Sequence, residues 1–325
     1  MIGYLIRRIL YGVLVLLGVN ALTFALFFAV NTPDDMARLS IGGRYVTQEA
    51  IENWKASRGY DLPLVINTQK EGTEKFTQTV FFQRSAPLLW GDLGLSDNGR
   101  NINREIAERI GPSLALAVPT FILGIIVMVI FSLMLVLVRR TALEWAGVAF
   151  SVTVMSISSL FYIIVGQWLF AKTLMLVPVS GFMDGWHMTA FLLLPVAIGI
   201  FSRLGSDTLL YRAMFLEEVG KDYVRTARAK GAGPWRVMLR HVLGNAMLPI
   251  LTSTVAVFPM LFMGSLIMES FFGIPGLGSY TIDAINAQDF AIVRAMVFLG
   301  TVAYVIGLIL TDITYTIADP RIRLK

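Results

Sequence analysis

The sequence predicts an all-α integral membrane protein with six transmembrane helices and a folded cap between the first two. Three observations predict it. Hydrophobic residues make up 56% of the 325 and charged residues only 15%, whereas soluble domains carry about a quarter charged. The apolar residues fall in runs near the length of about 20 that crosses a bilayer, and mean hydropathy is +0.69. Basic residues gather in one internal stretch between two such runs.

The run 9–30 is interrupted only by Asn20 and Thr23 and follows Arg7-Arg8. It exceeds the apolar region of a secretion signal and no A-x-A site follows, so it reads as an uncleaved first helix, with 1–30 as tail plus span. In the loop 31–111, "TQEAIENWKASRG" predicts a helix with Thr47 as N-cap and Gly59 as its stop. "RNINREIAERIGPS" predicts a second, ending at Gly111-Pro112, and the pair makes this loop a small ordered cap. The second span is 114–138, closed by Arg139-Arg140, and the third is 145–170, with a Ser-rich "SISSL" inside it.

The fourth span is short of apolar residues, since "TAFLLLPVAIGIF" stops at Phe201 and Arg203 follows. Charge asymmetry completes it. Residues 203–247 hold eight Lys/Arg against four acidic residues, which places that stretch in the cytoplasm. The chain must therefore cross back before Arg212, giving a span at 189–211 in which Arg203 snorkels to the interface. A cytoplasmic segment, 212–247, leads to the fifth span at 248–272, and the sixth is 292–317. Both termini then lie inside, in agreement with Arg7-Arg8, Arg139-Arg140 and the terminal "DPRIRLK". The loop 31–111 lies outside; its ten basic and eleven acidic residues are too spread along a long loop to weigh in the charge rule.

Several chemistries find no residues to carry them. The chain has no Cys, which removes disulfides and thiolate metal sites, and its two histidines, His187 and His241, are too few for an imidazole cluster. The net charge of +5 fits cytoplasmic loops of a polytopic chain better than nucleic acid, so membrane lipid is the expected surrounding and no nucleic-acid partner is expected. There is no G-x-x-x-x-G-K-[ST], H-E-x-x-H or G-x-S-x-G. No catalytic residue, metal site or bound cofactor is assigned, and the chain reads as a non-enzyme. Asp184 and His187 are accounted for by interfacial polarity. The span interiors are read as free of carboxylates, with Glu269 and Asp312 near span ends where water reaches them. A transporter powered by its own ion-coupling site needs buried ionisable groups, so energy for any transport has to come from elsewhere.

The basic stretch "YVRTARAKGAGPWRVMLRHVLGNAMLP", 223–249, is helical in pattern on both sides of a Gly-Ala-Gly-Pro break. Val219, Tyr223, Ala227 and Lys230 share one helical face before the break; Trp235, Met238 or Leu239, and Val242 continue the spacing after it. Gly231 and Gly233 allow backbone angles that other residues resist, and Pro234 suits the first position of the next helix. Taken alone, such a segment also suits anionic headgroups, at about 1 kcal/mol per basic residue.

Its neighbours favour something more specific. "YVRTARAKGA" followed by "RHVLGNAMLP" resembles the EAA loop of ABC importer permeases, with Ala227, Ala229 and Gly231 in the matching positions and Asn245 to Pro249 as the trailing N-A-x-L-P. The motif's leading Glu is missing. "YLIRRIL", "WGDLGLS", "IAERIGPSLALA", "VPVSG", "ESFFGIPGLGSYTIDAINAQDF" and "DPRIR" follow in the order found in the dipeptide/oligopeptide/nickel permease family, and the likeness covers nearly the whole chain. "NTPDDM" after the first span departs from that family's P-G-D-P-like turn.

The resemblance implies the ABC importer permease fold, with 112–325 as its core, in a multi-pass protein of the bacterial inner membrane. It implies a second, homologous permease subunit as heterodimer partner, two ATPase subunits that carry ATP and Mg, and an extracytoplasmic solute-binding protein. It implies import of peptides or peptide-like solutes, with a nickel or metal-chelate importer as the alternative; a non-transport scaffold anchoring peripheral proteins is the rival of another class. The implied ATPase-docking residues are Tyr223, Arg225, Ala227, Arg228, Ala229, Lys230, Gly231, Ala232, Gly233, Trp235 and Arg236. Glu269, Gly273, Pro275, Gly276 and Gly278 form an outer gate or an ordinary irregular turn. Ser156, Ser158, Ser159, Gln167 and Thr252 are candidates for the translocation path, helix–helix hydrogen bonding serving equally well for each.

Overall fold

A computed structural model of the protein describes residues 2–42, 46–183, 185–255 and 257–318. Every regular element among them is helical. By compactness they divide into two units, one running to Arg109 and resumed over Tyr280–Ile309, the other spanning Ile110–Ser279 and resumed from Leu310.

In the first unit, α1 (Ile2–Val30) exposes Leu14, Leu22 and Leu26 and buries Phe24 and Phe28. Thr32 caps α2 (Pro33–Ile41) through a reciprocal box, its hydroxyl accepting from the Asp35 N–H while Asp35 accepts from the Thr32 N–H. The α3 helix (Gln48–Arg58) begins at Thr47, whose hydroxyl accepts from Ala50, and ends at Gly59 in the left-handed conformation, as the sequence predicts. Short helices α4 (Glu74–Thr77) and α5 (Val80–Arg84) and a 3₁₀ turn, Ala86–Trp90, follow. Phe24, Phe28, Met36, Ile51, Trp54, Tyr60 and Val80 form one core. Two polar residues in apolar helices pin it. Asn20 donates to the Ser85 carbonyl at 2.8 Å, and buried Arg294 donates to the Arg84 carbonyl at 2.9 Å.

The next helix, α6 (Ile102–Leu137), corrects the expected break at Gly111-Pro112, because it runs on through both Pro112 and Pro119. A proline removes one hydrogen bond and costs about 3 kcal/mol, but long apolar helices tolerate it where neighbours satisfy the freed carbonyl. In the second unit α7 (Ala142–Ser156) and α8 (Ser159–Gly166), prolonged by a π-helical turn Gln167–Thr173, are bent by 90°. The predicted third span is thus broken. Ile157 is extended, and Ser158 starts afresh as the N-cap of α8. The α9 helix (Met188–Val219) covers the fourth span and more. It packs closely on α7, where a Cβ at Gly205 would strike the Ser151 carbonyl.

Beyond Gly220 come α10 (Asp222–Ala229), α11 (Pro234–Val237) with a π-helical turn Met238–Val242, and α12 (Leu243–Val255). A 3₁₀ turn, Phe258–Met263, and α13 (Leu266–Phe272) complete the fifth apolar stretch, bent by 40° from the part before it. The last helices are α14 (Leu277–Asn286) and α15 (Phe290–Ala318). Among the described residues four helices, α1, α6, α9 and α15, are long and apolar enough to cross a membrane, and the number rises to six if each bent pair is one span. Asp184 and the "DPRIR" end lie outside the described residues.

Candidate functional site

The basic stretch folds as a helix–turn–helix. Val219 ends α9, so it does not continue the face of Tyr223 as the spacing suggested; Gly220 separates the two helices. Lys221 and Tyr223 both donate to Glu218, tying the start of α10 to the end of α9. Burial, reinforced by the Glu218 carboxylate, pushes the Tyr223 hydroxyl up to about 12. The helix stops where Gly231 takes φ +80, with its N–H on the Arg228 carbonyl and the Ala232 N–H on that of Ala227. Gly233, at φ −65, caps α11 and Pro234 opens it.

The two faces of this unit differ. Val224, Ala227, Val237, Met238 and Val242 are buried with Phe215 of α9 and Met128, Leu133 and Val136 of α6. Arg225, Arg228, Ala229, Lys230, Gly231, Gly233, Trp235 and Arg236 are exposed, and Ala232 and Tyr223 lie between. Ala227 therefore belongs to the inner packing rather than to a docking surface; its small side chain lets α10 lie close to its own neighbours. The outer face offers cations, an indole and an open glycine turn. The inner face is welded to the spans.

The residues read as an outer gate or an irregular turn surround a carboxylate. Glu269 is fully buried, which corrects the expectation that water reaches it. Its Oε1 accepts from the Ser113 hydroxyl at 2.8 Å and the Ser265 N–H at 3.0 Å; its Oε2 accepts from the N–H groups of Gly278 at 2.7 Å and Ser279 at 3.1 Å. Those last two donors are in the first turn of α14, which otherwise leaves such groups unpaired and favours negative charge. The Ser113 hydroxyl also accepts from the Leu277 N–H at 2.7 Å. Added Cβ atoms at Gly264 or Gly276 would collide with this carboxylate, and one at Gly278 with the Ser265 backbone. Gly273, at φ +62, ends α13, and Pro275 sits in the turn between it and α14. The stretch is an irregular turn only as far as Gly276, because α14 begins at Leu277.

The path candidates separate. Ser159 lines a cavity of about 530 Å³ together with Thr120, Gly199 and Ser202. Ser156 turns its hydroxyl onto the Val152 carbonyl at 2.7 Å, Thr252 does the same to Leu248 at 2.8 Å, and Ser158 caps α8. Gln167 donates to the carbonyls of Val179 and Phe271, both at 3.1 Å, and so holds the loop after the bent span against α13. A charged pair lines the cavities. Arg203 stands at the midpoint of α9 and pairs with Asp207, a carboxylate inside the predicted fourth span, which corrects the reading of carboxylate-free span interiors. The i,i+4 spacing of opposite charges was the available signal.

The whole chain matches known families. The model described as the inner membrane component of binding-protein-dependent transport systems matches residues 112–324, and the model for the N-terminal part of such membrane components matches residues 1–117. A putative peptide transport system permease of Brucella abortus (strain 2308) is 31% identical over 99% of both chains. A probable peptide ABC transporter permease of Sinorhizobium fredii is 29% identical over 98% of this chain and 99% of its own. A glutathione transport system permease of Salmonella choleraesuis is 28% identical over the full length of both. With a matched core, a matched N-terminal part and relatives aligned end to end, the chain belongs to the family of inner-membrane permease components of binding-protein-dependent transport systems.

Proposed function

We propose that this chain is one of two permease subunits of an ABC importer that carries peptides or peptide-like solutes into the cytoplasm. In this reading each bent pair is one span, giving six, with both termini and the α10–α11 unit cytoplasmic and residues 31–111 outside. A homologous permease completes the pathway, a binding protein delivers the solute, and two ATPase subunits supply the energy.

One observation carries it: the two-faced α10–α11 unit. Its buried face joins α6, α9 and α12, and its exposed face presents Arg225, Arg228, Gly231 and Trp235. A partner that grips the exposed face and moves on binding ATP drags the helices packed on the other. Such a partner shifts the transporter between states only through contacts that differ between them. The peptide class is supported by the names of the end-to-end relatives, which are peptide and glutathione permeases.

Reconstitution tests it. In liposomes holding this chain with its ATPase and permease partners, uptake of labelled trialanine should require ATP, Mg and the binding protein together. Purified alone, the chain should neither bind nor hydrolyse ATP. Stoichiometric nucleotide binding by the isolated chain, or uptake by it under an ion gradient alone, contradicts the reading.

A further inference from the structure

Two cavities of the second unit share Thr120, Phe121 and Arg203 in their walls. The larger, about 530 Å³, is also lined by Ser159, Ser202 and Ser265; the smaller, about 160 Å³, by Asp207, Tyr211, Ser253 and Thr254. Arg203 thus borders both, at the midpoint of a helix long enough to span a membrane. Ionisable side chains within membrane-spanning helices are costly and mark the route of a polar substrate.

The pair is made in an unusual way. Arg203 Nη2 lies 2.8 Å from Asp207 Oδ2, yet that oxygen has no partner with hydrogen-bond geometry among the described residues. The Arg203 side chain is 49% exposed and open to the cavities, whereas Asp207, 17% exposed, has its Oδ2 buried and meets a solute only when the pair opens. The charges neutralise each other while the cavities are empty, and each keeps capacity for another partner.

We propose that Arg203 and Asp207 form a transit site for the two charged ends of a short peptide, Arg203 taking the α-carboxylate and Asp207 the α-ammonium. This rests on the peptide-importer reading and adds what within the permease recognises the solute. A guanidinium fork fits a carboxylate in two parallel hydrogen bonds, and a carboxylate accepts from an ammonium. Exchanging the internal pair for two pairs with the solute leaves the net charge of the cavity unchanged, so a zwitterion enters without burying an uncompensated ion. The termini of a di- or tripeptide stand about 7–10 Å apart when extended, within reach of a long arginine swung away from a short aspartate one helical turn on. The surrounding Ser and Thr hydroxyls serve peptide N–H and C=O groups without selecting side chains.

The test uses the complete importer in liposomes and three labelled probes: trialanine, its C-terminal amide and its N-acetyl form. Each is supplied at a concentration that saturates the binding protein, so that differences arise after delivery. The wild type should move trialanine about tenfold faster than either blocked form, roughly the worth of one charged hydrogen bond. Arg203→Gln should abolish the acid-over-amide preference and keep the preference for a free amine; Asp207→Asn should do the opposite. Binding-protein stimulation of ATP hydrolysis should persist in both, and because each variant reads a different end, either alone decides the matter if the other fails to assemble. Wild-type preferences retained in an assembled variant overturn the transit site while leaving peptide import standing. A wild-type importer that moves none of the three probes overturns both.

Discussion

Gly276 and Glu269 are fitted to each other, for a Cβ at position 276 would collide with the Glu269 carboxylate that accepts the N–H groups of Gly278 and Ser279. The turn between α13 and α14 is therefore built around a buried anion, and α14 takes its N-terminal cap from another helix.

Filling or emptying that cage should cost stability. Gly276→Ala forces an overpacked contact, worth typically about 1–3 kcal/mol. Glu269→Gln turns an amide donor toward buried N–H groups, each unsatisfied donor costing about 1–3 kcal/mol. Both variants should lower the thermal aggregation midpoint of the detergent-solubilised protein, Glu269→Gln the more. A Gly276→Ala protein as stable as the parent would show that the cage is loose.

Sidedness is checked with single cysteines, since the chain has no competing thiol. Cysteine in place of exposed Lys70 should react with an impermeant maleimide in intact cells. Cysteine in place of Gly233, exposed and at φ −65, should react only after permeabilisation. The reverse pattern places the α10–α11 unit outside and removes it from any ATPase.

A pH effect is expected in the first unit. Burial, with the neighbouring Asp289 carboxylate adding to it, raises Asp97 to about 6. An acid whose folded value lies above its unfolded one near 4 binds its proton more tightly when folded, so its ionisation costs stability as pH rises from about 4 through 6. Asp97→Asn should therefore flatten the fall in melting temperature between pH 4.5 and 7 relative to the parent. Parallel pH profiles for the two proteins would exclude Asp97 as a source of the slope.

The parts legible in the sequence are those set by local chemistry. Thr47 and Gly59 bound α3 because a hydroxyl cap and a left-handed glycine act within one turn. The break at Gly231 was legible for the same reason. Glu269 was not: its burial depends on Ser113, over 150 positions away, and on N–H groups of a helix not yet visible as one. Asp207 escaped the reading of carboxylate-free spans because it lies beyond the apolar run that ends at Phe201. The helix continues well past that run, to Val219, and Asp207 lines a cavity there. At Pro112 a local rule was overridden by the helix around it.

In the importer reading the Gly231 turn, more than the charges around it, joins this chain to an ATPase subunit. Gly231 holds φ +80 with open space where a Cβ would stand, so a side chain there strains the backbone without clashing inside the subunit. That strain is of the order of 1 kcal/mol, more for a β-branched residue, whereas one exposed ion pair is worth about 0–1 kcal/mol. The direct measurement is peptide uptake together with pull-down of the ATPase subunits from the same membranes. Gly231→Val should insert normally, abolish uptake and weaken the pull-down; Arg228→Ala and Arg236→Ala should lose only a few-fold, and Gly233→Ala, at an ordinary φ, little. Normal uptake by Gly231→Val beside a dead Arg228→Ala would mean that the unit works by charge, and would contradict docking through the turn.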